Sequence, residues 1–249
     1  MRWACVVPFL ALPLVAAACG GSKNGSGTTT LPEDPAAAVN GAARKTLAAG
    51  SEHLSLAGHV AARSQVVTFK GSGDFDTKKH VGSLKADFSA GGLNGSLEEV
   101  SSGTLAYVKS DLLGAFLPAG KTWVKLDLVK TAAAQGVDIT SVLSQDPTSA
   151  LSQLEKLRNV AKVGSATVAG EQTTHYRGTL TATNGNGRFD MWIGGDGYVH
   201  RVKAVGKARG TTSTITMDLS KFGEAVAVDV PKAAETYDGT KTAIPGLGG

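Results

Sequence analysis

The chain has 249 residues, with 32 glycines, only 6% aromatic and 18% charged residues, and a formal net charge of +4. Its basic residues form no stripe interleaved with aromatics, which excludes the nucleic-acid-binding class. Its 2 cysteines are Cys5 and Cys19, both in the N-terminal apolar stretch, so the rest of the chain has no thiol for a disulfide, a metal or a nucleophile.

Arg2 and the amino terminus supply positive charge, and Val6 to Ala18 supply an apolar run. That run is too short for a membrane span and is flanked as a secretory signal is. Val15-Ala16-Ala17-Ala18-Cys19-Gly20 resembles the lipobox of bacterial lipoproteins, although Ala16 stands where that motif prefers Leu. The resemblance implies a signal peptide over residues 1–18, a diacylglycerol on the Cys19 thiol, and a folded part outside the cytoplasm. Residues 19–34 then form a flexible tether rich in Gly, Ser and Thr. Its typical span is about 20 Å and its maximum about 50 Å.

A helix is expected from Pro35 to Gly50, with Asp34 as N-cap and Ala36, Val39, Ala43 and Leu47 near helical spacing. The period then becomes two. Leu54, Leu56, Val60 and Ala62 share one face, with His53, Ser55, His59 and Arg63 on the other. Val67–Phe75, Leu84–Phe88, Leu93–Val100, Thr104–Lys109 and Lys121–Leu128 continue as strands. Helical signals return over Val137–Asn159, where Leu151, Leu154 and Leu157 form a stripe after Asp146-Pro147. Strands resume at Val160–Val168, Gln172–Ala182, Arg188–Ile193, Tyr198–Val205 and Thr211–Leu219. Asn184–Gly187 and Gly194–Gly197 read as hairpin turns, and Val228–Pro231 as a last short extended segment. The class is α+β, with a long antiparallel sheet of about 10–11 strands and helices gathered on one face.

These pieces, in this order, resemble actinobacterial lipoproteins of the LppX/LprG type within the LolA-like superfamily. The resemblance is carried by the lipobox, the Pro35–Gly50 helix and Leu117-Pro-Ala-Gly-Lys-Thr-Trp-Val-Lys-Leu-Asp127. Asp146-Pro147 through Leu157, Val168-Ala-Gly-Glu-Gln-Thr-Thr-His-Tyr-Arg177, Met191-Trp192-Ile193 with Asp196-Gly197, and Val228–Pro231 complete it. It implies a single domain over residues 35–245. The domain would be a half-barrel whose strongly curved antiparallel sheet wraps around helices on its concave side. An apolar cavity there would hold acyl chains of a lipid or glycolipid for transport or presentation at the extracytoplasmic face of the cell membrane. The lining expected from the apolar pattern is Leu54, Leu56, Phe69, Phe88, Leu112, Leu113, Phe116, Val142, Leu143, Leu151 and Leu154, with Leu112–Leu117 as a cavity mouth. Alternatives on the same fold are a sensor that binds a membrane-protein partner, and a surface lipoprotein without cargo.

No catalytic residue, metal ligand or cofactor is expected. Ala115–Thr122 lacks the first glycine of GxxxxGK[ST] and leads into a strand pattern, where phosphate binding needs a helix N-terminus. The sequence holds neither HExxH nor GxSxG. The histidines read as solvated strand residues, and Asp74 and Asp76 as turn chemistry.

Overall fold

The computed structural model describes residues 30–62, 65–134, 151, 154, 157–182, 185–208 and 210–240. Helix α1 spans Pro35–Ala49. The Asp34 carboxylate accepts the Ala37 N–H at 2.9 Å, Pro35 opens the helix, and Gly50 ends it at φ 80°. Its buried face is Ala38, Val39, Ala42, Ala43 and Thr46, rotated from the stripe expected at Ala36, Val39, Ala43 and Leu47. The difference lies in Thr46, which an apolar pattern skips. Its hydroxyl donates to the Ala42 carbonyl at 2.8 Å and accepts the Val199 N–H at 2.9 Å, so a polar residue pins the helix to the sheet.

Twelve strands form one sheet among the described residues. They are β1 Ser51–Ala62, β2 Gln65–Asp76, β3 Val81–Ala90, β4 Leu93–Ser102, β5 Leu105–Ser110, β6 Trp123–Asp127, β7 Arg158–Val168, β8 Glu171–Ala182, β9 Gly185–Gly194, β10 Val199–Ala208, β11 Thr211–Ser220 and β12 Thr236–Asp238. Strands β1–β6 and β7–β11 are two antiparallel meanders, joined because β1 pairs with β11 (Leu54 opposite Leu219). The one parallel pair is β12 beside β6. The sheet is open and curved, and helices are few among the described residues.

Four local expectations need correction. Helix α2, Leu128–Ala134, follows β6 directly, its first turn tied by Asp127, which accepts the Lys130 N–H. Val137–Ala150 lies outside the described residues, but the helical reading to Asn159 fails, because β7 starts at Arg158. Gly185-Asn186-Gly187 is strand rather than turn, paired to Ala182-Thr181-Leu180 and to β10, so the hairpin closes two residues earlier. Val228–Pro231 belongs to no strand, and the final strand is β12. A proline cannot donate to a ladder, whereas Thr236-Tyr237-Asp238 is free to do so.

The core lies between α1 and one face of β1 and β8–β11. It holds Val39, Leu54, Tyr176, Met191, Ile193, Val199 and Leu219, together with Leu151, Leu154 and Leu157. A second, small cluster joins Leu113 and Val124 to Val108, Leu117 and Leu126. The Thr46→Val variant keeps the volume and strands the buried Val199 N–H. Urea unfolding should give a loss of about 1–2 kcal/mol relative to the parent chain.

Candidate ligand-binding face of the sheet

Side chains alternate between faces along each strand, so the register assigns every position to one side. The face that carries Leu54 and the core continues across β1–β4 in aligned rows. One row runs Gly58–Phe69–Phe88–Gly95, the next Leu56–Gly71–Ala86–Leu97, and the next Leu54–Gly73–Leu84–Glu99. The last row extends to Val108 on β5 and Val124 on β6.

The Phe69 ring lies over Gly58, the Phe75 ring over Gly82 and the Phe88 ring over Gly95, each directly across from its partner. A Cβ on Gly95 would stand 2.4 Å from the Phe88 ring. At Gly73 a Cβ would meet the Ser83 carbonyl at 2.1 Å, so only glycine permits this approach of the strands. The result is a low, apolar surface. Val67 and Ile215 are 37% and 38% exposed on it, and Leu93 is 67% exposed, while Leu84 and Leu97 are half-buried.

The expected lining residues divide accordingly. Leu54, Leu151 and Leu154 sit in the closed core beneath α1, and Leu56, Phe69 and Phe88 lie on the open part of the same face. Leu113 is buried in the second cluster, whereas Leu112 and Phe116, beside a 3-10 turn at Gly114–Phe116, are exposed. Val142 and Leu143 lie outside the described residues. The structure adds Val67, Leu84, Leu93, Leu97 and Ile215. Alternation marks each as one-faced, but only the register brings them together.

Glu99 stands within this apolar face. Leu84 and Val108 are its cross-strand neighbours, and its carboxyl has no hydrogen bond or ion pair among the described residues. Burial pushes its carboxyl up from the ordinary value. Glu98, the adjacent residue, points to the opposite face and pairs with Lys85 and Lys109.

That opposite face is polar. Two open depressions of about 550 and 530 Å³ share Lys70, Asp87 and Ser96, and Phe69 and Phe88 border the first. Further along it, Asp190, with 4% of its side chain exposed, accepts from His175 at 2.9 Å, Arg177 at 2.7 Å and Arg188 at 3.2 Å. His175 stacks on Trp192 at 4.4 Å, and His200 bonds to Asp196 and meets the Phe222 ring edge-on. These two histidines are therefore held in networks and are not the solvated residues expected. Lys121 donates to the Ala233 and Ala234 carbonyls and Thr122 to that of Glu235, immediately before β6, so the near-phosphate motif is a turn into a strand. Among the described residues no group of three or more His, Cys, Asp or Glu side chains could hold a metal ion.

The architecture can now be set beside known proteins. Lipoprotein LprF from Mycobacterium bovis superposes with a TM-score of 0.52 at 12% identity, covering 82% of this chain and 99% of that one. The chain has the fold of LprF. Mycobacterium tuberculosis lipoprotein LppX gives a TM-score of 0.48 at 18% identity, with 79% and 100% covered. In sequence, the Streptomyces coelicolor protein described as "Putative lipoprotein SCO4650" is 29% identical over 125 residues. That match takes in 48% of this chain and 43% of the relative, so less than half of the relative's length is spanned. No family model matches. The likeness to LprF bears out the fold implied by the resemblance read from the sequence, and the sequence match is to a protein described as a lipoprotein.

Two substitutions test this geometry. Gly95→Ala should force the Phe88 ring off its seat and cost about 1–3 kcal/mol in chemical unfolding. Asp190→Asn should cost about 2 kcal/mol at pH 7, discounted for the half-exposed arginines. Burial raises the Asp190 carboxyl, but the hydrogen bonds from Arg177 and His175 outweigh it and hold the group below the ordinary value. Its contribution is thus complete above the unfolded carboxylate range and lost as pH falls through the lower folded value. The gap between parent and variant should persist to about pH 4 and close only in stronger acid.

Proposed function

We propose that this is a lipid-anchored lipoprotein of the bacterial envelope that binds acyl chains on the concave, apolar face of its half-barrel sheet, without catalysis. In this reading residues 1–18 are a signal peptide, Cys19 carries the lipid, residues 19–34 tether the domain, and residues 35–245 form it at the extracytoplasmic surface. The observation that carries the reading is the apolar face of β1–β4 beyond the core under α1, where large apolar side chains stay exposed. Helix α1 contacts β7, β9 and β10, while Val67, Leu93 and Ile215 remain exposed beside the rings of Phe69 and Phe88. An acyl chain laid there gains up to about 0.8 kcal/mol for each fully buried CH₂. The site comprises Leu56, Phe69 and Phe88 from the sequence pattern, with Val67, Leu84, Leu93 and Leu97 beside them. Leu54, Leu151 and Leu154 form its closed base, and Leu113 anchors the loop that presents Leu112 and Phe116.

Intact and native mass spectrometry of the chain made with its leader in a Streptomyces host tests both parts. The expected result is a polypeptide beginning at an acylated Cys19, with a second, extractable lipid bound without a covalent link. Leu93→Asp and Ile215→Asp, at exposed positions, should lower that second occupancy while changing stability by no more than about 0.5 kcal/mol. A protein that has only its covalent anchor and takes up no added lipid would overturn the binding reading. An unprocessed residue 1 would overturn the anchor.

A further inference from the structure

An apolar surface suited only to hydrocarbon needs no carboxyl in its middle. Glu99 occupies that position, with Leu97 and Ser101 before and after it on its own face of β4. From β3 it is faced by Leu84 between Gly82 and Ala86, and from β5 by Val108 between Ala106 and Ser110. None of these groups is titratable or charged. Glu99 is half-buried.

Charge is strongly asymmetric across the sheet. By register, no Lys or Arg of β1–β6 or β11 falls on the face of Glu99. The basic residues of these strands, Lys70, Lys85, Lys109 and Lys125, are on the other side, paired with Asp87, Glu98 and Asp238. An anionic headgroup would therefore meet a carboxylate and, among the described residues of these strands, no compensating cation. A hydroxyl group would instead donate to that carboxylate, a charge-assisted hydrogen bond strengthened by the apolar surroundings.

We infer that Glu99 is the recognition point of this face and selects a neutral lipid with a free hydroxyl beside its acyl chains, a diacylglycerol being the simplest example. The inference rests on the acyl-binding reading above and adds what that reading leaves open, the chemistry of the ligand's polar end. Fully esterified lipids lack the donor, and fatty acids bring a second negative charge against an apolar wall.

The test presents the full chain, in detergent, with diolein, triolein or oleate at pH 7.5 and counts bound ligand by native mass spectrometry. The parent should prefer diolein over each of the others by about tenfold or more, the scale of one hydrogen bond to a charged group. Glu99→Leu should bind diolein and triolein equally, and its thermal unfolding should be unchanged or raised, since the change removes a desolvated charge from among apolar neighbours. Glu99→Gln keeps an acceptor oxygen, so it should retain diolein over triolein while admitting oleate. A Glu99→Leu variant that keeps the parent's preference would overturn the role of Glu99 and leave acyl binding standing. If neither parent nor variants bind any of the three lipids, the acyl-binding reading falls, and this inference falls with it.

Discussion

A sheet of twelve strands at about 4.8 Å spacing is roughly 50 Å across, whereas a helix of fifteen residues is about 22 Å long and about 10 Å wide. No placement of α1 can cover such a face. The helix covers the end built from β7–β11, where Thr46 fixes it against Val199, and the core beneath it is closed. The β1–β4 end has to manage its apolar side by other means. Among the described residues it does so with phenylalanine rings seated against glycines of the neighbouring strand, which shields backbone. The exposed Val67, Leu93 and Ile215 follow from the same shortage of cover.

Most strands were legible in the sequence, because alternation survives wherever one face is apolar and the other wet. Leu84, Ala86 and Phe88 against Lys85 and Asp87 illustrate this, and β3 lies where that pattern puts it. What alternation cannot supply is register. Phe88 and Gly95 become partners only through the β3–β4 pairing, so a ring seated on a glycine was invisible before that pairing was known. The same limit applies to Glu98 and Glu99. The two look alike in sequence, yet one completes a lysine pair in water and the other faces leucine and valine.

Where the reading of residues went astray, a local signal lost to its surroundings. Asn184–Gly187 has turn composition, but Gly185 and Gly187 lie in a ladder with strands on both sides. Thr46 is polar and yet fully buried, because its hydroxyl satisfies two backbone groups at once. His175 and His200 sit on strands, as solvated histidines do, but Asp190 and Trp192 from the next strand enclose the first, and the distant Phe222 ring, with the nearby Asp196, encloses the second. Each of these depends on contacts between residues far apart in the chain, which composition and spacing do not encode.

The seam between β1 and β11 has a consequence for how the protein reaches its folded state. Strand β1 is made early, but its second partner arrives only after nine other strands have been made, so one long edge must wait. Waiting edges invite pairing with other chains. The waiting edge runs from His53 to Ala62, and its outer part, Ala57-Gly58-His59-Val60-Ala61-Ala62, is small, weakly apolar and poor in β-branched residues, its eventual partner being a run of threonines and serine broken by Ile215. Such an edge offers little for a stranger to grip. The seam thus trades strength for patience: it holds weakly to any single strand and becomes secure only when the whole sheet closes around it.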